Sequence, residues 1–288
     1  MTANLKLSKG DKVGLIACSD GVREENSLEV EALIKVLNSF GLEVVVASTL
    51  FRRDAYFSGA PKVRAAELNR LFNDDEIMAI FDISGGDSAN QILPYIDYNR
   101  IRMNPKPFFG MSDLSVILNG LYTLGNINSY HYQLMNLVYS DGKEQQNAFY
   151  QSFFEGHNDL YDFQYKWVRG NHMSGIVIGG NIRCFMKLAG TSYFPDPTNK
   201  IILLESLGGR ANKIVSLIAQ LQQVGYLDKC AGLILGSFTE LERYNEFSVV
   251  EEYVKEISES TKLPIVKTDE IGHGSNGKCI VIGQEIIL

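Results

Sequence analysis

The chain has 288 residues, 45% of them hydrophobic, 10% aromatic and 21% charged, a balance that supports a sizeable core and excludes an intrinsically disordered protein. Its formal net charge of -7, with Arg52-Arg53 as the longest basic cluster, excludes a phosphate-tracking surface and nucleic acid as the expected partner. No run approaches the roughly 18 apolar residues of a membrane helix, and MTANLKLSKGDKVGLIACSD lacks the apolar segment of a signal sequence, so a soluble protein with no membrane partner is expected.

Residues 12–16 read as a short buried strand, and 27–40 follow with apolar residues at Leu28, Ala32, Leu33, Val36 and Leu37, a helical spacing. Gly41 stops that helix and LEVVVAS resumes as a strand. Then come a helix over PKVRAAELNRLFNDD, a strand over IMAIFDIS and a short helix over SANQILPYI. KPFFG follows as a strand and SDLSVILNGLYTLG as a helix. Such alternation predicts a doubly wound, mainly parallel sheet of the flavodoxin or amidotransferase type, in the α/β class.

Periodicity fails from about residue 136 to 170, an aromatic and polar segment. Beyond it SGIVIGGN, IILLES, AGLILGSF and CIVIGQEIIL read as strands, with a helix over ANKIVSLIAQLQQVGYL. The expected division is residues 1–168 as one domain and 169–288 as a smaller, strand-rich α/β domain. Cys18, Cys184, Cys230 and Cys279 lie far apart without a Cys-x-x-Cys pair, which suits reduced thiols and neither disulfides nor metal.

Functional groups of doubly wound sheets gather where strands hand over to helices, and FFGMSDLSVILNG places Ser112 at such a handover. A tight strand-turn-helix presents a serine hydroxyl beside the free N–H groups of the helix start; Ser and Asp are also ordinary helix caps. Serine needs a base. Of the four histidines, His157 and His172 lie in the polar segment, His273 stands between glycines in EIGHGSNG, and His131 in NSYHYQL either lines the same cleft or is a core histidine. Glu205 closes the aliphatic run of IILLES and needs a partner if buried; His273 is one, and a rim ion pair with Arg210 or a lysine is the alternative.

Gly85 and Gly86, in FDISGGDSANQ, end a strand at the same sheet edge as Ser112. The N–H of Gly86 with that of Asp113 would form a two-donor oxyanion hole, although a Gly-Gly turn can equally be an anion nest or a helix start. The stretch lacks G-x-G-x-x-G, so no dinucleotide cofactor is expected.

Together GMSD, GGN (Gly179, Gly180, Asn181), LLES and the late GH resemble the LD-carboxypeptidase family of serine peptidases, over nearly the whole chain. SGGDSANQILPYIDY and GGNIRCFMKLAGTSYFPDP resemble further family segments. The resemblance implies a cytoplasmic peptidase with Ser112 as nucleophile, His273 as base and Glu205 as the acid that orients it, the triad being divided between two domains. Gly85, Asn181 and His131 are expected to contact the substrate, no metal or organic cofactor is expected, and analogy with the family suggests a homodimer. The implied reaction is hydrolysis of the L,D-peptide bond before the terminal D-alanine of a murein tetrapeptide, a small peptide with a free carboxylate.

A related branch, the microcin-C immunity peptidases, cleaves aminoacyl-nucleotide conjugates. The turn Ser84-Gly85-Gly86-Asp87-Ser88 is closer to that branch than to the R-G-G-Y-G of many carboxypeptidases. His131-Tyr132-Gln133 also departs from the family's His-Gly-Pro. Trp167 either packs at a domain interface or stacks on a nucleobase. A rival of another class is a two-domain scaffold that only binds a peptide or anion.

Overall fold

The computed structural model describes residues 5–288. Its strands run β1 (Lys12–Ile16), β2 (Glu43–Val46), β3 (Ile77–Asp82), β4 (Phe108–Gly110), β5 (Ser129–His131) and β6 (Lys166–Arg169). They continue with β7 (Ser174–Asn181), β8 (Lys200–Ser206), β9 (Gly232–Phe238), β10 (Ile265–Lys267), β11 (Ile280–Ile282) and β12 (Glu285–Ile287). Two six-stranded sheets result, ordered β11-β5-β4-β3-β1-β2 and β12-β7-β8-β9-β10-β6.

In the first sheet β1 to β5 are parallel and β11 is antiparallel to β5. In the second, β7 to β10 are parallel and both edges, β12 and β6, are antiparallel. The order of β1 to β5 is the flavodoxin-like 2-1-3-4-5, whose switch point lies between β1 and β3. Helices cover the faces through apolar stripes: 27–39 buries Val30, Leu33 and Leu37, and 211–223 buries Ile214, Ile218 and Leu221, the spacing of one helix face.

The helix Ser115–Thr123 is buried on every side from Ser115 to Leu121. It lies between the two lobes, sharing a core with Val177, Ile178, Ile182 and Phe185 of the second. A helix buried on every side can be stable only in such a place, with its polar Ser115 and Asn119 hydrogen-bonded.

At the expected division near residue 168, β6 hydrogen-bonds to β10 in the second sheet. Three features depart from the sequence-based expectations. The run CIVIGQEIIL is not one strand: it turns at Gly283, so that β11 completes the first sheet and β12 the second. Residues Ala89–Tyr95 form a 3-10 helix containing Pro94, whose missing N–H cannot join a regular helical ladder. The polar segment contains a helix, Gly142–Tyr150, that buries Gln145 and Phe149, too few apolar positions to register as periodic.

Candidate active site

Ser112 follows β4 and an extended Met111, and its own φ is +60°. That left-handed conformation in a residue other than glycine costs on the order of 1–3 kcal/mol and persists only where the surroundings enforce it. The chain then enters a 3-10 turn, Ser112–Leu114, and the buried helix. Ser112 thereby reaches the wall of a cavity of about 680 Å³, shared with Gly86, Asn181, Arg183, Leu207 and Lys213.

Glu205 ends the buried strand β8 and is 0% exposed. Its Oε2 lies 2.6 Å from Nδ1 of His273, and the His273 backbone N–H donates to Ser237 Oγ at 3.1 Å. With the carboxylate ionised, Nδ1 carries the hydrogen and Nε2 is left with a lone pair. Nε2 is buried and has no hydrogen-bond partner among the described residues. Glu205 is not engaged by Arg210, which pairs with Glu246 (Nε to Oε2 2.9 Å) and lies 4.0 Å from the centre of the Tyr244 ring.

Asp113, beside Ser112, is fully buried. Its carboxylate accepts from Ser19 Oγ (2.6 Å), the Ala89 N–H (2.8 Å) and Lys187 Nζ (2.6 Å). Lys187 belongs to the second lobe, so a buried ion pair crosses the seam one residue from the serine. The Asp113 N–H is in the first turn of its 3-10 helix, where no intrahelical acceptor exists. Gly86 has φ +135°, and any side chain there would overlap the Asp20 carboxylate; its carbonyl accepts from Arg183 at 3.1 Å.

Asn181 lines the cavity. Its N–H donates to Ser115 Oγ at 2.9 Å, and its side chain caps the short helix Ile182–Phe185. Gly85 and His131, expected as substrate contacts, lie outside the lining of the Ser112 cavity. Gly85 lines a separate cavity of about 250 Å³ with Arg52 and Ser84. His131 is 0% exposed on β5 and lies behind Glu205, its Nε2 4.0 Å from Oε1; burial lowers the pKa of its imidazole.

Trp167 borders another groove, with Tyr165 and Phe247, remote in its lining from Ser112. Among the described residues no three His, Cys, Asp or Glu side chains are grouped to hold a metal ion, and no helix is long and apolar enough to cross a membrane.

Sequence reasoning missed Lys187, Arg183 and Arg64. Arg64 is fully buried and donates to the Cys18, Ser19, Gly59 and Ser88 carbonyls, tying together the loops beside the cleft. One signal was available: Arg64 falls on the same helical stripe as Leu68 and Leu71.

Fold and cleft define a two-lobed α/β serine peptidase. Residues 13–132 match the LD-carboxypeptidase N-terminal domain and residues 174–288 the LD-carboxypeptidase C-terminal domain; the chain belongs to the LD-carboxypeptidase family. The probable murein peptide carboxypeptidase of Bacillus subtilis is 25% identical, over 97% of this chain and 89% of its own. The murein tetrapeptide carboxypeptidase of Pseudomonas aeruginosa is 24% identical, over 96% and 92%, and the microcin C7 self-immunity protein MccF of Escherichia coli 24%, over 93% and 87%. Among solved structures, MccF in complex with glutamyl sulfamoyl guanosine superposes with a TM-score of 0.85 at 21% identity, covering 98% of this chain and 94% of that one. The muramoyltetrapeptide carboxypeptidase of Oxalobacter formigenes gives 0.78 at 19%, covering 96% and 94%.

Proposed function

We propose that the protein hydrolyses the L,D-peptide bond before the terminal D-alanine of a murein tetrapeptide, in the cytoplasm, with Ser112, His273 and Glu205 as a triad. The observation that carries this reading is the 2.6 Å contact between Glu205 and His273, which leaves a buried lone pair on Nε2 in a chain whose one left-handed serine lines the cleft. His273 Nε2 takes the proton of Ser112 as Oγ attacks the scissile carbonyl carbon. The N–H groups of Gly86 and Asp113 hold the resulting oxyanion. The tetrahedral adduct collapses with cleavage of the C–N bond, His273 passes its proton to the leaving D-alanine amine, and water hydrolyses the acyl ester by the same steps.

Arg183 and Lys213, both lining the cavity, suit a substrate with a free carboxylate, as do the names of the Bacillus and Pseudomonas relatives. A second reading, cleavage of an aminoacyl-nucleotide conjugate, is favoured by the Ser84–Ser88 turn, which puts Asp87 in the cleft where it pairs with Arg183. Homodimer formation follows only by analogy.

The test is incubation of wild type and Ser112→Ala with murein tetrapeptide and, separately, with an aminoacyl-sulfamoyl adenosine, followed by mass spectrometry. Loss of one alanine by wild type alone is the expected result. Cleavage of the conjugate alone favours the second reading, and cleavage of neither a pure binding protein.

A further inference from the structure

One oxygen of Glu205 meets His273; the other faces a different imidazole. Among the described residues seven buried side-chain N or O atoms have no hydrogen-bond partner, and four of them are Nδ1 and Nε2 of His131, Oε1 of Glu205 and Nε2 of His273. An unmet buried polar group costs about 1–3 kcal/mol and calls for an explanation. The role of His273 Nε2 as base explains one of the four. Two of the other three, His131 Nε2 and Glu205 Oε1, lie 4.0 Å apart.

The surroundings keep this histidine in place. All of β5 is buried, Gly110 and Ile280 flank His131 in register on either side, and Gly180 of β7 makes room for the ring. A Cβ on Gly180 would come within 3.3 Å of His131 Cδ2. An aliphatic residue would suit so dry a site better, yet the position holds an imidazole directed at the carboxylate.

We propose that His131 is a positioning residue: as the Nε2–H tautomer it presents a second donor to Glu205 Oε1, so that the carboxylate is held between two imidazoles and Oε2 stays on His273. The inference rests on the Ser112–His273–Glu205 reading. At 4.0 Å the N–H acts through its dipole rather than through a hydrogen bond, in a dry interior where such a dipole is felt more strongly than in water. Glu205 and His273 are the titratable groups that face His131, and burial favours its neutral ring, which has one N–H to give.

The test compares wild type with His131→Leu, His131→Gln and His131→Asn, by the rate and pH dependence of labelling with a fluorophosphonate and by thermal unfolding. His131→Leu should label on the order of tenfold to a hundredfold more slowly, as loosened geometry does elsewhere. The acid limb of its profile should move to lower pH, because His273 loses a well-held carboxylate to stabilise its imidazolium. His131→Gln, whose amide N–H reaches the place of Nε2, should label within about threefold of wild type, and His131→Asn should resemble His131→Leu. A folded His131→Leu with wild-type rate and profile overturns the role of His131 alone. If His131→Leu does not fold, equal rates for the Gln and Asn variants overturn it instead. No adduct on Ser112 in wild type overturns the nucleophile assignment and this inference with it.

Discussion

Asn119 and Gly179 exchange two hydrogen bonds across the seam between the lobes: Asn119 Nδ2 donates to the Gly179 carbonyl at 2.8 Å, and the Gly179 N–H donates to Asn119 Oδ1 at 2.9 Å. The same Nδ2 donates to the Ser115 carbonyl at 2.7 Å, and Ser115 Oγ accepts from Asn181. The helix behind Ser112 is thus fastened to β7 by side chains that reproduce the pairing of a missing strand. Asn119→Leu leaves both backbone groups of Gly179 unmet in a dry place. A loss of about 2–4 kcal/mol of stability is expected, read by urea unfolding; a change below about 0.5 kcal/mol contradicts it.

On the proposed triad, Glu205→Gln preserves shape but removes the charge that would stabilise a protonated His273. Turnover should fall on the order of a thousandfold, while unfolding in urea changes little, because a buried charge is exchanged for a neutral amide. A variant with near-wild-type turnover would remove Glu205 from the chemistry.

Lys187→Met strands the fully buried Asp113 carboxylate without its cation. The expected cost is about 2–4 kcal/mol, near the low end of the range for buried pairs because the Lys187 side chain keeps 20% of its surface exposed. Adding Asp113→Asn should restore part of the loss, a non-additivity that urea unfolding of the two single variants and the double would show.

Burial raises the Asp82 carboxyl to about 6, although it accepts from the Cys18 and Ser84 N–H groups and from Ser84 Oγ. Between about pH 4 and 6 the folded protein therefore keeps a proton that the unfolded chain has released. Stability from this group is present below about pH 4, declines as pH rises through that window, and is flat above it. The difference in unfolding free energy between wild type and Asp82→Asn should follow that decline across a pH series; a pH-independent difference would contradict it.

Much of this arrangement is legible in one dimension. Buried parallel strands appear as continuous apolar runs, and the serine turn, the acid after four aliphatic residues and the histidine between glycines each stand out from their neighbours. What is not legible is depth and partnership. Nothing in NSYHYQL says that His131 lies behind Glu205 rather than in the cleft, because that is fixed by pairing of β5 with β4 and β11. Gly85 and Gly86 look alike in sequence and line different cavities. The Lys187–Asp113 pair joins residues 74 positions apart, and no local periodicity reports such a contact.

The closing nine residues of the chain, through β11 and β12, supply an edge to each sheet. During vectorial synthesis both lobes therefore wait for the same late segment: a nascent chain halted before Ile280 exposes β5 and β7 as open edges, ready to pair with a neighbouring chain. Completion of the two halves is coupled in time as well as in space.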